Sequence, residues 1–268
     1  MGSDRTAWAL VLAGVLAQMI YPALAGEPLQ AITVAAVLLL SASALAHCAN
    51  VFGRRAAGRL LLIGAGIGLT AEVVGVHTGV PFGSYRYADT LGPAIAGVPA
   101  VVPLAWIMLG YPCLLLGRRL AAGRRWARTA TATVGGWTLA AWDLFLDPQM
   151  VAAGHWTWDH PEPALPGVPG VPITNYLGWL LVSVLMIGAL DRALPPWSGI
   201  AAAPSVVLAW TWLGSTLGNL VLFDRPEVAG WGLLGMGVAV LPYLVLTIRD
   251  SRRRRSAVVR LDRPVSTR

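Results

Sequence analysis

The chain has 268 residues, of which 56% are hydrophobic and only 12% charged, and its mean hydropathy is +0.64. A water-soluble domain carries about a quarter charged residues, so this composition excludes one. The net charge is +7 and every basic residue is arginine, but no basic domain with interleaved aromatics is present to hold nucleic acid.

In chain order the apolar runs are 7–25, 30–50, 60–80, 98–117, 129–147, 175–194, 200–222 and 230–249. Each is about twenty residues long, enough for a helix to cross a hydrocarbon core of about 30 Å. The predicted fold class is therefore all-α: a polytopic transmembrane helical bundle of about eight spans. It forms one membrane domain over residues 1–250, with a basic tail over 251–268. The first run has a rival reading as a signal-peptide core, with Ala23-Leu24-Ala25 before Gly26 resembling a cleavage site. Its charged flank is only Asp4 and Arg5, which favours a retained span. Cys48 and Cys113 lie inside apolar runs, with neither disulfide nor metal-ligand spacing, and read as small buried hydrophobes.

Arginine placement sets the orientation. With the N-terminus inside, eighteen of the twenty arginines fall on inner segments, and only Arg86 and Arg225 lie outside. The densest cluster, Arg252 to Arg255, follows the last run, where a cytoplasmic anchor would face anionic lipid. Both termini are thus expected in the cytoplasm, in a multi-pass protein of the plasma membrane. The longest outer connections, 81–97 and 148–174, are rich in glycine, proline and aromatics, and are expected to fold back onto the bundle. No internal repeat is evident, so an inverted-repeat transporter is not supported.

Ionisable residues within apolar spans are costly and are functional candidates. Three carboxyls qualify: Glu72 in the third run, and Asp143 and Asp147 in the fifth. The two aspartates are four apart and share one helix face. All three belong to the outer half of the bilayer, where the loops add Tyr85, Tyr87, Asp89, His155, Trp156, Trp158 and Asp224. Structural alternatives accompany each. Asp147-Pro148 could end a helix, and Glu72 could pair with His77 or Arg86. His77 and His155 read as interfacial rather than metal-ligating. Neither a metal nor a cofactor is expected.

Two carboxyls close together in a low-dielectric site cannot both ionise cheaply, so one keeps its proton. Such an acid can protonate an alkene, and Trp and Tyr faces then stabilise the carbocation. The same residues would also suit a proton relay in a transporter.

Three blocks are more specific. The first runs from Glu72-Val73-Val74-Gly75-Val76-His77-Thr78-Gly79 through Pro81-Phe82-Gly83-Ser84-Tyr85-Arg86-Tyr87, then Leu91-Gly92-Pro93 and Gly97-Val98-Pro99. The second is Trp142-Asp143-Leu144-Phe145-Leu146-Asp147-Pro148 with Trp156-Thr157-Trp158. The third is Gly170-Val171-Pro172-Ile173-Thr174-Asn175-Tyr176-Leu177-Gly178-Trp179. Together they cover roughly residues 60–190 and resemble the carotenoid biosynthesis membrane proteins, whose best-known members are carotenoid 1′,2′-hydratases.

The resemblance implies a hydro-lyase that adds water across the terminal double bond of an acyclic carotenoid, giving a tertiary alcohol. Asp143 or Asp147 would protonate the alkene, and Glu72 would orient the water or accept its proton. Trp142, Trp156, Trp158 and Tyr85 would flank the cation, Asn175 would hold the water, and Tyr87 and Trp179 would complete the substrate site. Membrane lipid and other carotenoid-pathway enzymes are the expected neighbours.

Rival readings remain. A carotenoid cyclase would use the same protonation but quench the cation internally. An intramembrane prenyltransferase would need a second acidic motif besides Asp143-x-x-x-Asp147, and none is found. A proton-coupled transporter or a carotenoid-binding membrane protein is the non-enzymatic alternative.

Overall fold

The computed structural model describes residues 3–197 and 199–261, with side chains over 5–197 and 199–253. Of the basic tail, residues 262–268 and the side chains of Arg254 and Arg255 lie outside the described residues.

Long helices occupy all eight apolar runs. The first two, α1 (Ser3–Ile20) and α2 (Gly26–Phe52), form an antiparallel hairpin joined by a short 3-10 turn at Tyr21–Ala23. Gly53, at φ +89°, turns the chain into a third rod. This comprises α3 (Arg54–Leu60), one wider π-type turn at Leu61–Ala65 and α4 (Gly66–Thr78). Then follow α5 (Val102–Ala121), α6 (Ala127–Ala152), α7 (Ile173–Ala193), α8 (Ala202–Val221) and α9 (Pro226–Leu261). The last runs unbroken past residue 250.

Six of these rods are both long and apolar enough to cross a membrane: Arg5–Ala23, Gly26–Phe52, Arg54–Thr78, Val102–Ala121, Ile173–Ala193 and Pro226–Arg253. The molecule is thus a mostly helical membrane protein. Of the eight expected spans, α6 and α8 fall outside that set although they have 26 and 20 residues. Their polar side chains turn inward: Asp143, Asp147, Thr211, Thr216 and Asn219 are all buried.

The central post is α5, on which Trp106, Ile107, Leu109, Tyr111, Cys113, Leu114 and Leu116 have no exposed surface. Missing side chains let α6 approach it and α7 closely. A Cβ on Gly136 would lie 2.7 Å from the backbone of Val184, and one on Gly117 would lie 2.6 Å from the Thr131 carbonyl. At the arginine-rich end, Arg118 on the last turn of α5 bonds Asp191 Oδ1 at 2.7 Å. It also caps the carbonyls of Asp191, Leu194 and Pro195 at 3.0, 3.0 and 2.8 Å, satisfying acceptors that the end of α7 leaves free. Cys48 and Cys113 are free and buried, as expected.

The structure refines two readings from sequence. The chain is not purely α-helical, because the two long connections contain short strands: β1 (Tyr85–Tyr87), β2 (Ala94–Ile95), β3 (Val98–Pro99), β4 (Trp156–Trp158), β5 (Ala164–Leu165) and β6 (Val168–Pro172). They form three two-stranded antiparallel pairs. One of these, β1 with β4, joins the two connections to each other. Backbone groups folded down onto an apolar bundle have little water to bond, so they pair with each other. The second concerns the structural alternative for Asp147-Pro148, in which the proline would end a helix, and that alternative does not hold. The α6 helix carries through Pro148 to Ala152, leaving Asp147 well inside the helix.

Candidate active site

Glu72 lies on a face of α4 that also carries Gly68 and Gly75, at the i−4 and i+3 spacing of one helical stripe. A Cβ on Gly68 would sit 2.7 Å from the Trp106 ring, and one on Gly75 would sit 3.0 Å from the Tyr85 hydroxyl. Both glycines therefore make room for groups that reach Glu72. Gly79, at φ +75°, closes the helix with its N–H on the Gly75 carbonyl and starts the chain back toward β1.

Glu72 is 4% exposed and accepts three side-chain hydrogen bonds. The Tyr85 and Tyr87 hydroxyls donate to Oε2 at 2.5 and 2.8 Å, and the Trp106 indole donates to Oε1 at 3.0 Å. Neither suggested cation is its partner. His77 bonds the Val73 carbonyl of its own helix at 2.9 Å, and Arg86 pairs with Asp159 at the surface. Burial, followed by the nearby Glu72 charge, pushes the Tyr85 and Tyr87 hydroxyls well above the usual phenol range. Both remain protonated donors.

Asp143 and Asp147 meet the first turn of α7. The Asn175 amide nitrogen donates to Asp143 Oδ2 at 2.7 Å and also to Asp147 Oδ2, so one NH₂ group bridges both acids. Trp156 adds a bond from its indole to Asp147 Oδ1 at 3.1 Å. Asp143 is fully buried, and its Oδ1 has no hydrogen-bond partner among the described residues.

The β1–β4 pair forms the roof. In its register Tyr85 stands opposite Trp158, Arg86 opposite Thr157, and Tyr87 opposite Trp156. Strand alternation sends the four aromatics to one face and Arg86 and Thr157 to the other. Tyr85, Trp156 and Trp158 are buried while Arg86 and Thr157 are exposed. The Trp158 indole fastens the roof to the Phe82 carbonyl at 2.9 Å. Beneath it, Trp106 and Trp179 stack at 4.0 Å, and Trp142 meets Trp179 edge-on at 5.9 Å.

Together these groups wall one end of a cavity of about 570 Å³, within the roughly 300–1,000 Å³ of small-molecule sites. Of the ten residues singled out from sequence, Glu72, Asp147, Asn175, Trp142, Tyr85, Tyr87, Trp156, Trp158 and Trp179 line it. Asp143 does not. It stands behind the wall and touches the site through Asn175.

Asp89 and Asp224 are exposed and take no part in this wall. His155 is buried and bonds Thr90 at 2.8 Å, and burial lowers its pKa so that the ring stays neutral. Among the described residues, no three His, Cys, Asp or Glu side chains gather as a metal site. Trp106 was missed from sequence because it lies in an unbroken apolar run. The Gly68-x-x-x-Glu72-x-x-Gly75 stripe was the available hint that something large packs beside Glu72.

The arrangement can present carboxyl groups to an apolar molecule surrounded by aromatic faces. The Bisanhydrobacterioruberin hydratase of Haloarcula japonica is 34% identical over an alignment of 179 positions, which covers 61% of this chain and 58% of that protein. The aligned region thus spans under two thirds of the relative's length. No solved structure matches. The family model described as "Carotenoid biosynthesis protein" matches residues 31–223, reaching beyond the motif blocks at both ends. The chain belongs to the carotenoid biosynthesis protein family.

Proposed function

We propose that the protein is a carotenoid hydratase, a hydro-lyase that adds water to the terminal double bond of an acyclic carotenoid. One observation carries this reading: Glu72 and Asp147 occupy the wall of a mainly apolar cavity, a third of whose lining residues are aromatic. A cavity that only stored a hydrocarbon would gain nothing from buried carboxyl groups, which are costly to desolvate.

In the proposed reaction Asp147 transfers a proton to the less substituted alkene carbon, leaving a tertiary cation on its neighbour. The indole and phenol faces of Trp142, Trp156, Trp158, Trp179 and Tyr85 stabilise that cation through their quadrupoles. Water attacks the cationic carbon and gives up a proton to Glu72; once that proton has passed back to Asp147, the net change is addition of one water. Three donors orient Glu72, and Oε1, which receives only the Trp106 bond, keeps a lone pair for the incoming proton. Asp143 is a positioning residue that shares a proton with Asp147 around Asn175. The Asn175 amide hydrogens serve the two aspartates, so it would hold the water through its Oδ1.

The finer membrane arrangement belongs to the same reading. We place eight spans in the plasma membrane, one domain over residues 1–250 and a tail over 251–268, with both termini cytoplasmic. Cation placement supports this. Reporter fusions after residues 126 and 160 should report opposite sides.

The function is tested by expressing Asp143→Asn, Asp147→Asn and Glu72→Gln variants in cells that make an acyclic carotene, followed by mass analysis of the pigments. Hydration adds the mass of one water, whereas cyclisation adds none. Wild type should yield hydrated product, and the Asp147 and Glu72 variants almost none. Undiminished product from all three variants would overturn the site.

A further inference from the structure

The cavity is closed at its carboxyl end and open at the other. Every wall residue from the roof and from α4 is at least partly buried, whereas the strongly exposed lining residues are Met19, Pro22, Leu217, Val221 and Leu222. All five belong to the end of α1, the turn after it, or α8 and the residue following. Met19 is 58% exposed, Leu217 60% and Val221 73%. Large apolar side chains this exposed, on rods of a membrane bundle, face lipid rather than water. Two contacts bridge α1 and α8 at this mouth: the Trp210 indole donates to Gln18 Oε1 at 2.7 Å, and the Tyr21 and Phe223 rings meet edge-on at 6.2 Å.

We propose that the gap between α1 and α8 is a lateral portal, through which a long apolar isoprenoid enters the cavity end-first from the outer half of the bilayer. The proposal rests on the hydratase reading for what happens at the far end, but the route is argued from geometry alone. The β1–β4 roof covers the carboxyl end, with Tyr85, Trp156 and Trp158 buried beneath it and the Trp158 indole fastened to Phe82. The lipid-side mouth spares the substrate any passage through water, where each exposed CH₂ costs about 0.8 kcal/mol. An acyclic C40 polyene is about as long as the bilayer core is thick, roughly 30 Å. A cavity of about 570 Å³ takes one end of such a chain, and the rest remains among lipid tails. Gly214 and Gly218 line the α8 side of the passage. Gln18 on α1 and Tyr21 in the turn after it precede the matched family region, so the portal adds an element to the site that the motif blocks do not contain.

The test uses the full chain in lipid nanodiscs, with lycopene as the probe. Gly218→Cys places a thiol in the passage, where its Cβ would sit in ordinary contact, 3.5 Å from Phe223. Val221→Cys is the second site should the first not fold. The native thiols Cys48 and Cys113 are buried, so a bulky methanethiosulfonate reagent will mark the introduced cysteine, and dithiothreitol will remove the mark. Binding is read from the visible circular dichroism that achiral lycopene acquires only in an asymmetric site. Turnover is read from hydrated product.

Marking should reduce the dichroism at least tenfold, reversed by dithiothreitol. Marked Leu185→Cys, on the lipid-facing side of α7, should bind as its unmarked form does. Full dichroism from the marked portal variants would overturn the portal. If wild type binds lycopene reversibly through this route yet forms no hydrated product, the portal stands and the hydratase reading falls. If product continues undiminished with the mark in place, the portal falls and the hydratase reading stands.

Discussion

Tyr87 and Trp156 face each other across the β1–β4 pair, with ring centroids 5.5 Å apart, and each is bonded to a different acid. Tyr87 donates to Glu72 at 2.8 Å and Trp156 to Asp147 at 3.1 Å. One two-stranded roof thus sets the positions of both carboxyls on the cavity wall, although they belong to separate helices. Moving either loop would displace an acid and an aromatic face together.

The acids should separate by role. Asp147→Asn should lower turnover by about 10²- to 10⁴-fold, the usual contribution of a proton-transferring group. Asn175→Ala, which removes one shared donor from two carboxyls, should cost about 1.5–3 kcal/mol, or roughly 10- to 100-fold in rate. Product formation per folded protein is the measurement. Equal, complete loss in both variants would argue against a positioning role for Asn175.

Aromatic faces should matter by their electrons rather than their bulk. Trp142→Phe keeps a π face and should retain most activity, whereas Trp142→Leu should lose about 2 kcal/mol of transition-state stabilisation, roughly thirtyfold. Rates for the two variants with one carotene substrate check this. Similar rates for Phe and Leu would remove the cation-stabilising role.

Helix approach is a separate, structural matter. Gly136→Ala would place a Cβ 2.7 Å from the Val184 backbone, where no flexible side chain can give way. The α6–α7 contact should loosen by about 1–3 kcal/mol, seen as a lower midpoint in thermal unfolding in detergent. Because α6 carries both aspartates and α7 carries Asn175, activity should fall with it.

Arg118 and Asp191 form a largely buried ion pair, their side chains 8% and 12% exposed. Arg118→Met should destabilise by about 3–5 kcal/mol, because it strands a buried carboxylate. The double variant Arg118→Met/Asp191→Leu should recover part of that loss. By contrast Arg86→Ala removes an exposed pair with Asp159 and should shift stability by less than about 1 kcal/mol. Unfolding in a denaturant series ranks the three.

End-first entry also predicts an order of products. A symmetric acyclic carotene must leave and re-enter reversed before its second end reacts. Singly hydrated pigment should therefore accumulate before doubly hydrated pigment in a time course. Doubly hydrated product appearing first, without a free intermediate, would contradict a closed carboxyl end.

Much of the molecule was legible in the chain. Apolar runs of about twenty residues dictate helices, because a helix is the form that satisfies every backbone group locally in lipid. The cost of burying charge singled out Glu72, Asp143 and Asp147, and glycine-rich loops full of tryptophan marked the side on which the site lies. What tertiary structure alone decided was pairing. Only the folded chain brings Tyr87 to Glu72 and Asn175 between two aspartates, puts Trp106 on the wall and leaves Asp143 behind it. Helical periodicity specifies which residues share a face, but not which faces meet. That choice depends on close approach between rods, at positions such as Gly68, Gly75 and Gly136, and on hydrogen bonds made between residues far apart in sequence.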